Sequence, residues 1–227
     1  TSSMSREQFT NFMNTQQFML SSNGVLYRSD KIGVIPEILD VWFDQRVKFK
    51  NLMKKHKKEG NAELADYYDR RQHVQKILLN SIYGVLGLPI FRFYDLDNAL
   101  AVTATGQDVI KTTAKYVNNI YRQRTSTTED HCIYIDTDSV YFSSLPLFQT
   151  GDVQEFTIGL AQEMEQKLNT FYDTMAKLLF FCDRGHRFVI KGEAVSATAL
   201  WVAKKRYAML KTYDLENNMA LSAPKLA

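Results

Sequence analysis

Two long helical patterns separated by Glu59-Gly60-Asn61 constrain this chain more than any other feature of its sequence. Pro36 opens the first pattern where a missing N–H costs nothing, and Glu37 in the first turn suits the helix dipole. Ile38, Val41, Trp42, Val47, Phe49 and Leu52 supply its apolar positions. Gly60 and Asn61 accept the left-handed conformation of a helix end, and lysines crowd the last turn. The second pattern runs from about Ala62 to Gly87, and Gly87-Leu88-Pro89 ends it, because the residue before a proline is pushed out of the helical region. Helices joined by so short a loop lie antiparallel, as a protruding hairpin. With the turn centred near residue 60, Arg46 lies level with about residue 74, and Lys76 is about 3 Å from that level along the axis. Arg46 and Lys50 are one turn apart on one face, while Lys76, Asn80, Tyr83 and Gly84 form a stripe on the other helix. The two stripes can therefore face one cleft at the base of the hairpin. A solvated face is the plain alternative for Arg46 and Lys50, and more so for Lys54, Lys55, Lys57 and Lys58 at the tip. Gly84 and Gly87 point to close approach by another group, since glycine weakens a helix interior by roughly 0.5–1 kcal/mol.

The second informative stretch is Cys132-Ile133-Tyr134-Ile135-Asp136-Thr137-Asp138-Ser139-Val140-Tyr141-Phe142, two β-branched and aromatic runs around an acidic break. It reads as a hairpin presenting carboxylates at its turn. If the backbone stays near-extended, Asp136 and Asp138 leave the same face and converge. Paired carboxylates repel, and a hard divalent cation is the usual way to stabilise them. Asp-Thr-Asp-Ser is also good turn chemistry with no metal at all.

The remaining chain fills out an α+β domain, an antiparallel sheet packed with helices, with the helical hairpin inserted ahead of it. Ser22-Asn23-Gly24 marks a turn before Val25-Leu26-Tyr27. Asp95 or Asp97 caps a third helix running to about Arg122, with Ala99, Ala101, Val102, Val109, Ile110, Val117 and Ile120 as its buried side. A fourth helix covers 153–181, its apolar face carried by Phe156, Ile158, Leu160, Met164, Leu168 and Phe171. The period then switches, and 187–195 and 200–210 read as two antiparallel strands. With 227 residues and 45% hydrophobic content, there is enough apolar surface for one large domain or two small ones. A net charge of +3 is too small to declare a nucleic-acid partner by itself. Cys132 and Cys182 lack a CxxC context and read as buried free thiols. No apolar run spans a bilayer and no signal-peptide layout opens the chain, so a soluble, intracellular protein without a membrane partner is expected.

Three motifs then occur in a fixed order: Lys76-x-x-x-Asn80-Ser81-x-Tyr83-Gly84, Tyr134-x-Asp136-Thr137-Asp138-Ser139, and Lys204-Lys205-Arg206-Tyr207. Together they resemble family B DNA polymerases, closest in spacing and flanks to the phage branch, from about Ser22 to the C-terminus. Ser22-Asn23-Gly24 and Phe91-Arg92-Phe93-Tyr94-Asp95 also look like that branch.

The resemblance implies a DNA-directed DNA polymerase segment: 1–35 a partial lead into the palm, 36–88 the fingers hairpin, and 89–227 the later part of the palm. It makes Lys76 a catalytic and nucleotide-binding residue on the incoming triphosphate, beside Asn80, with Tyr83 and Gly84 lining the nascent base pair. Arg46 and Lys50 add triphosphate contacts. Asp138 becomes the palm carboxylate shared by two magnesium ions, and Asp136 its neighbour with a weaker or indirect metal role. Glu193, in a Glu-Ala context on the following strand, resembles a further acidic residue near the metals. Lys204, Lys205, Arg206 and Tyr207 grip the primer strand near its 3′ end, although a charged edge strand is the plain alternative for that cluster. Primer–template DNA and deoxynucleoside triphosphates are the implied partners, in the host cytoplasm if the protein is phage-encoded.

The sequence departs from the family in lacking an upstream Asp-x-x-Ser-Leu-Tyr-Pro-Ser segment with its second palm carboxylate, and in lacking the acidic motifs of a 3′–5′ exonuclease. It stops at Ala223-Pro224-Lys225-Leu226-Ala227, about where a thumb begins. A polymerase piece, or one chain of a split enzyme, inactive alone and completed by a segment carrying the other aspartate, is therefore expected. The alternative is a non-catalytic nucleic-acid-binding module with a polymerase-like fold. Specific magnesium binding by Asp136 and Asp138 separates the two.

Overall fold

The computed structural model describes residues 4–183 and 185–226; Thr1 to Ser3 of the expected lead segment, and Ala227 at its far end, lie outside them. The chain forms two compact units, one up to Thr105 and one from Gly106. Helices and antiparallel sheets are mixed throughout, as an α+β reading requires, but the strands form three small sheets and not one.

The first unit opens with helix α1 (Arg6–Gln16), which the sequence reading overlooked. Its signal was present: Ser5 and Gln8 form a reciprocal capping box, Gln8 N–H donating to Ser5 Oγ and Ser5 N–H to Gln8 Oε1. Strands β1 (Phe18–Leu20) and β2 (Leu26–Arg28) follow, paired across the Ser22-Asn23-Gly24 turn, where Gly24 takes φ +88°.

Helices α2 (Val34–Lys58) and α3 (Ala62–Leu86) make the expected hairpin. The first begins two residues before Pro36, which still falls among the initial N–H positions that need no partner. It ends in a Schellman arrangement: Asn61 N–H donates to His56 O at 2.9 Å and Gly60 N–H to Lys57 O at 3.3 Å, with Gly60 at φ +75°. Asn61 then caps α3, its Oδ1 accepting from Leu64 N–H. Gln75 Nε2 donates to Gln45 Oε1 at 2.8 Å, and the Arg71 guanidinium lies 5.5 Å from the Phe49 ring centre. Both pairs are centred on residue 60, the register the sequence predicts. Burial is poorer than expected, because two helices alone can cover only one stripe each. Trp42, Phe49 and Leu52 are half-buried, whereas Ile38, Val41 and Val47 are exposed.

Helix α4 (Leu96–Thr125) is capped by Asp95, whose Oδ1 accepts from Asn98 N–H at 2.9 Å, so the choice between Asp95 and Asp97 falls to Asp95. Of its expected buried side, Ala101, Ile110, Val117 and Ile120 are buried, while Val102 is 52% exposed. In the second unit the C-terminal part of α4 packs against helix α5 (Val153–Phe180), with the hairpin of β3 (Cys132–Asp136) and β4 (Ser139–Phe142) between them in sequence. Val117, Ile120 and Tyr121 meet Leu160, Met164 and Leu168 in one buried cluster, to which Phe142 and Ile190 add cover. A second cluster gathers Tyr172, Met175 and Phe180.

Two expectations about the later strands need correction. Residues 187–193 form no strand; they run without a ladder until β5 (Ala194–Ala203). Their β-branched and aromatic content is that of a strand, but helix side chains supply the hydrogen bonds. Asn169 of α5 donates to Ile190 O and accepts from Ile190 N–H, both at 3.0 Å, and Glu165 Oε2 accepts from Gly192 N–H at 2.8 Å. A Cβ at Gly192 would stand 2.9 Å from Leu215 Cδ1, so that leucine would have to turn aside to admit one. Nor is 200–210 one strand: it is the end of β5, a turn at Lys204-Lys205 and the start of β6 (Arg206–Asp214), with Lys205 at φ +60°. No Gly, Asn or Pro marks that turn. Strand β7 (Met219–Leu226), not foreseen in the sequence, completes the sheet in the order β5-β6-β7.

Asn169 pins this connection through two backbone groups that would otherwise be orphaned. Asn169→Ala should lower the unfolding free energy by about 2 kcal/mol in urea titration; a loss below about 0.5 kcal/mol would mean that the segment is held by other contacts.

Candidate active site

The acidic hairpin is positioned by α4. Asn118, buried on α4, accepts from the N–H groups of His131 and Cys132 at 2.9 and 2.8 Å, fixing the start of β3. Tyr121, one helical turn further on and fully buried, donates from its hydroxyl to Ser143 O just past β4. Burial drives the Tyr121 phenol well above its ordinary pKa, so it remains a donor. Desolvation, with help from the Asp130 charge, likewise pushes the Cys132 thiol up to about 11. Cys132 and Cys182 are half-buried thiols outside any disulfide, and at neutral pH Cys132 is inert.

At the other end of the hairpin Asp136 pairs with Ser139, leaving Thr137 and Asp138 as a two-residue turn. The extended backbone that would have put both carboxylates on one face is therefore absent: Thr137 takes φ +53°, and the alternation breaks between the two aspartates. Asp136 is partly buried at the end of β3, and Asp138 is exposed in the turn. Thr137 Oγ1 donates to Asp136 Oδ1 at 3.1 Å.

The turn between β5 and β6 meets this hairpin. Lys205 Nζ lies 3.2 Å from Asp136 Oδ1, and Lys205 N–H donates to Tyr134 Oη at 2.8 Å. Behind them Tyr134, Tyr141 and Tyr207 form a ring cluster with centroid separations of 5.5–5.9 Å, closed by a 3.1 Å hydrogen bond between the Tyr141 and Tyr207 hydroxyls. Trp201 stands edge-on to Tyr141. Burial first, then the Tyr207 hydrogen bond, raise the Tyr141 pKa, and the Glu193 carboxylate contributes a smaller push in the same direction. Glu193 thus stands near this cluster, but in the connection one residue before β5 and not on a strand as expected. Lys204 and Arg206 are exposed on either side of Lys205. In the second unit the structure therefore brings the hairpin of Asp136 and Asp138 to the Lys204–Tyr207 stretch from separate parts of the sequence, while Glu193 is within electrostatic reach of Tyr141 only.

Among the described residues no group of three His, Cys, Asp or Glu side chains is placed to hold a metal. Magnesium does not require one: it binds through one or two carboxylates, with water and substrate phosphates completing the shell. Exposed Asp138 and partly buried Asp136 fit that donor set, with Asp138 the freer of the two.

In the first unit Arg46 is half-buried, and its Nε is buried with no hydrogen-bond partner. A buried donor without an acceptor is costly and is expected where a ligand brings the acceptor. Lys50 is half-buried; Lys76, Asn80, Tyr83 and Gly84 are exposed on α3. Among the described residues nothing lies within 4 Å of a Cβ built at Gly84, and only ordinary contacts surround Gly87, so none of them makes the close approach expected at these glycines.

A mixed helix-and-sheet protein, with a long helical hairpin in one unit and an acidic hairpin meeting a cationic turn in the other, is what these features define. The match to the model of DNA polymerase family B covers residues 2–222, and the chain belongs to that family. It is 26% identical to the DNA-directed DNA polymerase of Escherichia phage RB69 over 92% of this chain and 30% of that protein. It is 35% identical to the DNA-directed DNA polymerase of Enterobacteria phage T4 over 63% of this chain and 18% of that protein. DNA polymerase 1 of Pyrococcus abyssi is 27% identical over 82% of this chain and 21% of its own length. The chain thus spans less than a third of the length of each of these relatives. Among the described residues no helix is long and apolar enough to cross a membrane.

A β-branched residue in the left-handed region is strained. Thr137→Gly should therefore leave thermal stability unchanged or raise it by up to about 1 kcal/mol, although glycine normally weakens a strand end. A loss of 1 kcal/mol or more in calorimetry would show the turn to be relaxed.

Proposed function

We propose that this chain supplies the fingers and the later part of the palm of a DNA-directed DNA polymerase that adds nucleotides to a primer 3′ end. Residues 1–35 lead into the palm, 36–88 are the fingers and 89–227 continue the palm. The single observation that carries this reading is the contact between the acidic turn and the cationic turn, Lys205 Nζ to Asp136 Oδ1 at 3.2 Å. A metal-dependent phosphoryl-transfer site needs carboxylates beside cations that can take nucleic-acid phosphates, and family membership names the reaction class.

In this reading Asp138 is the principal ligand for magnesium, Asp136 assists, and Glu193 lies near. Bound magnesium neutralises phosphate charge and lowers the pKa of the primer hydroxyl. A segment bearing another palm carboxylate completes the set. Lys204, Lys205, Arg206 and Tyr207 hold the primer backbone without reading bases, as a template-directed enzyme requires. Arg46, Lys50, Lys76 and Asn80 bind the triphosphate, Arg46 finding there the acceptor its buried Nε lacks. Tyr83 and Gly84 line the nascent pair, with Gly84 offering open space to an incoming group. The phage relatives favour work in a host cytoplasm.

In a complete polymerase carrying this segment, Asp138→Asn should abolish primer extension and Asp136→Asn should reduce it less. Equal, small effects would make the hairpin structural. Lys76→Ala should reduce nucleotide incorporation by roughly ten-fold to over a hundred-fold with primer–template affinity retained, since a charge-assisted contact contributes about 1.5–3 kcal/mol. Single-turnover kinetics would check this. Collapse of DNA affinity with normal nucleotide use would reassign Lys76 to the DNA backbone.

A further inference from the structure

Lys205 touches the acidic hairpin with both ends of the residue. Its N–H is donated to Tyr134 Oη, two residues before Asp136, and its ammonium reaches Asp136 itself. The left-handed backbone at Lys205, which any residue with a Cβ adopts reluctantly, is held there by those contacts. The two partners are unequally placed. The Asp136 side chain is 19% exposed, whereas that of Lys205 is 63% exposed. The carboxylate is therefore set in the protein, and the cation arrives over it from the solvent side, where a nucleic-acid phosphate could also reach it. Thr137 Oγ1 donates to the same Asp136 oxygen, so Oδ1 is already engaged twice.

We infer that Lys205 is a positioning residue that restrains Asp136 while no DNA is bound and frees it when a primer phosphate takes the ammonium. This rests on the reading of the two turns as metal and primer sites. Carboxylate and phosphate compete for one ammonium. With Lys205 on Asp136, the site offers a divalent cation less negative charge; with Lys205 on a phosphate, Asp136 recovers it. Cation and DNA binding are then positively linked, and by thermodynamic necessity each strengthens the other equally. Such a link would let the carboxylate pair reach full cation affinity only when a primer is present. Lys204 and Arg206, exposed on either side, contribute general attraction for the backbone but hold no carboxylate of the hairpin in this way.

The test is a Mn2+ titration of the 227-residue chain followed by electron paramagnetic resonance. Lys205→Met should bind Mn2+ about three- to ten-fold more tightly than the native chain, the range expected for a partly exposed charge-assisted contact. Lys205→Arg, which keeps the charge, should stay within about two-fold of native. A short primer–template duplex should tighten Mn2+ binding in the native chain and leave Lys205→Met unaffected. A second arm needs no metal. In EDTA, fluorescence anisotropy should show Asp136→Asn binding the duplex several-fold more tightly than native, with no such gain when Lys205→Met is also present. Unchanged or weaker Mn2+ binding by Lys205→Met, in a chain whose Mn2+ binding is lost in Asp138→Asn, overturns the role of Lys205 and leaves the metal-site reading standing. Mn2+ binding indifferent to Asp138→Asn removes the metal-site reading, and this inference falls with it. An Asp136→Asn chain that binds DNA no better than native overturns the inference even if Lys205→Met does not fold.

Discussion

The acidic turn can be held in one place only because the base of its hairpin is fixed from α4. A two-stranded hairpin is marginal in water by itself, and β3 and β4 pair with each other and no further strand among the described residues. Asn118 and Tyr121, one helical turn apart, grip the incoming strand and the chain just beyond the outgoing one. Both side chains are buried beside Val117 and Ile120, which pack on Leu160, Met164 and Leu168. Close packing there leaves the hairpin base little room to shift. Order thus passes from an ordinary apolar helix pair, through three side-chain hydrogen bonds, to two aspartates at the far end.

The two aspartates differ although they are two positions apart. Asp136 ends a strand, loses part of its water and gains Lys205 and Thr137 in exchange. A partly desolvated carboxylate needs such compensation, because removing it leaves an uncompensated charge. Asp138, out in the turn, is exposed and keeps its water. The Tyr134, Tyr141 and Tyr207 cluster behind them is polar but uncharged, and burial keeps the Tyr141 phenol protonated. A wall of neutral hydroxyls can support charged groups without competing for the same ions.

The sequence made legible those parts whose local chemistry agrees with the fold. Gly60 and Asn61 serve a helix end and a helix start at once, and the acidic hairpin is bounded by residues that favour strands on both sides. The turn at Lys204-Lys205 was hidden because its left-handed residue is a lysine and both flanks are strand-like. Residues 187–193 have strand composition, but Asn169 and Glu165, distant in sequence, supply their partners. Helix α1 could have been found from Ser5 and Gln8 alone. The contact between Asp136 and Lys205 was beyond reach, since no spacing rule joins residues so far apart in sequence. For the α2–α3 hairpin the sequence specified register well and burial poorly. Periodicity marks which residues are apolar, and it is silent on whether anything covers them.

That shortfall in burial has a physical counterpart in charge. From residue 45 to 58, α2 carries seven Lys or Arg and no Asp or Glu. Arg46, Lys50, Lys54 and Lys58 recur every fourth position, a spacing at which like charges destabilise a helix. What holds this half of α2 is its favourable cationic C-terminus, the stacking of His56 and Phe49 on Tyr68, and Arg71 over Phe49. None of these is a deep apolar core; α2 has no buried residue and α3 only Leu86. Elements with few buried apolar contacts open at low free energy, and moving parts of binding sites are drawn from them. Beside that row the Arg46 Nε–H is a buried donor with no acceptor, a further cost that the hairpin carries. A hairpin held by ring stacking and a favourable helix end, and not by a core, has a conformation that a contact of modest free energy can bias.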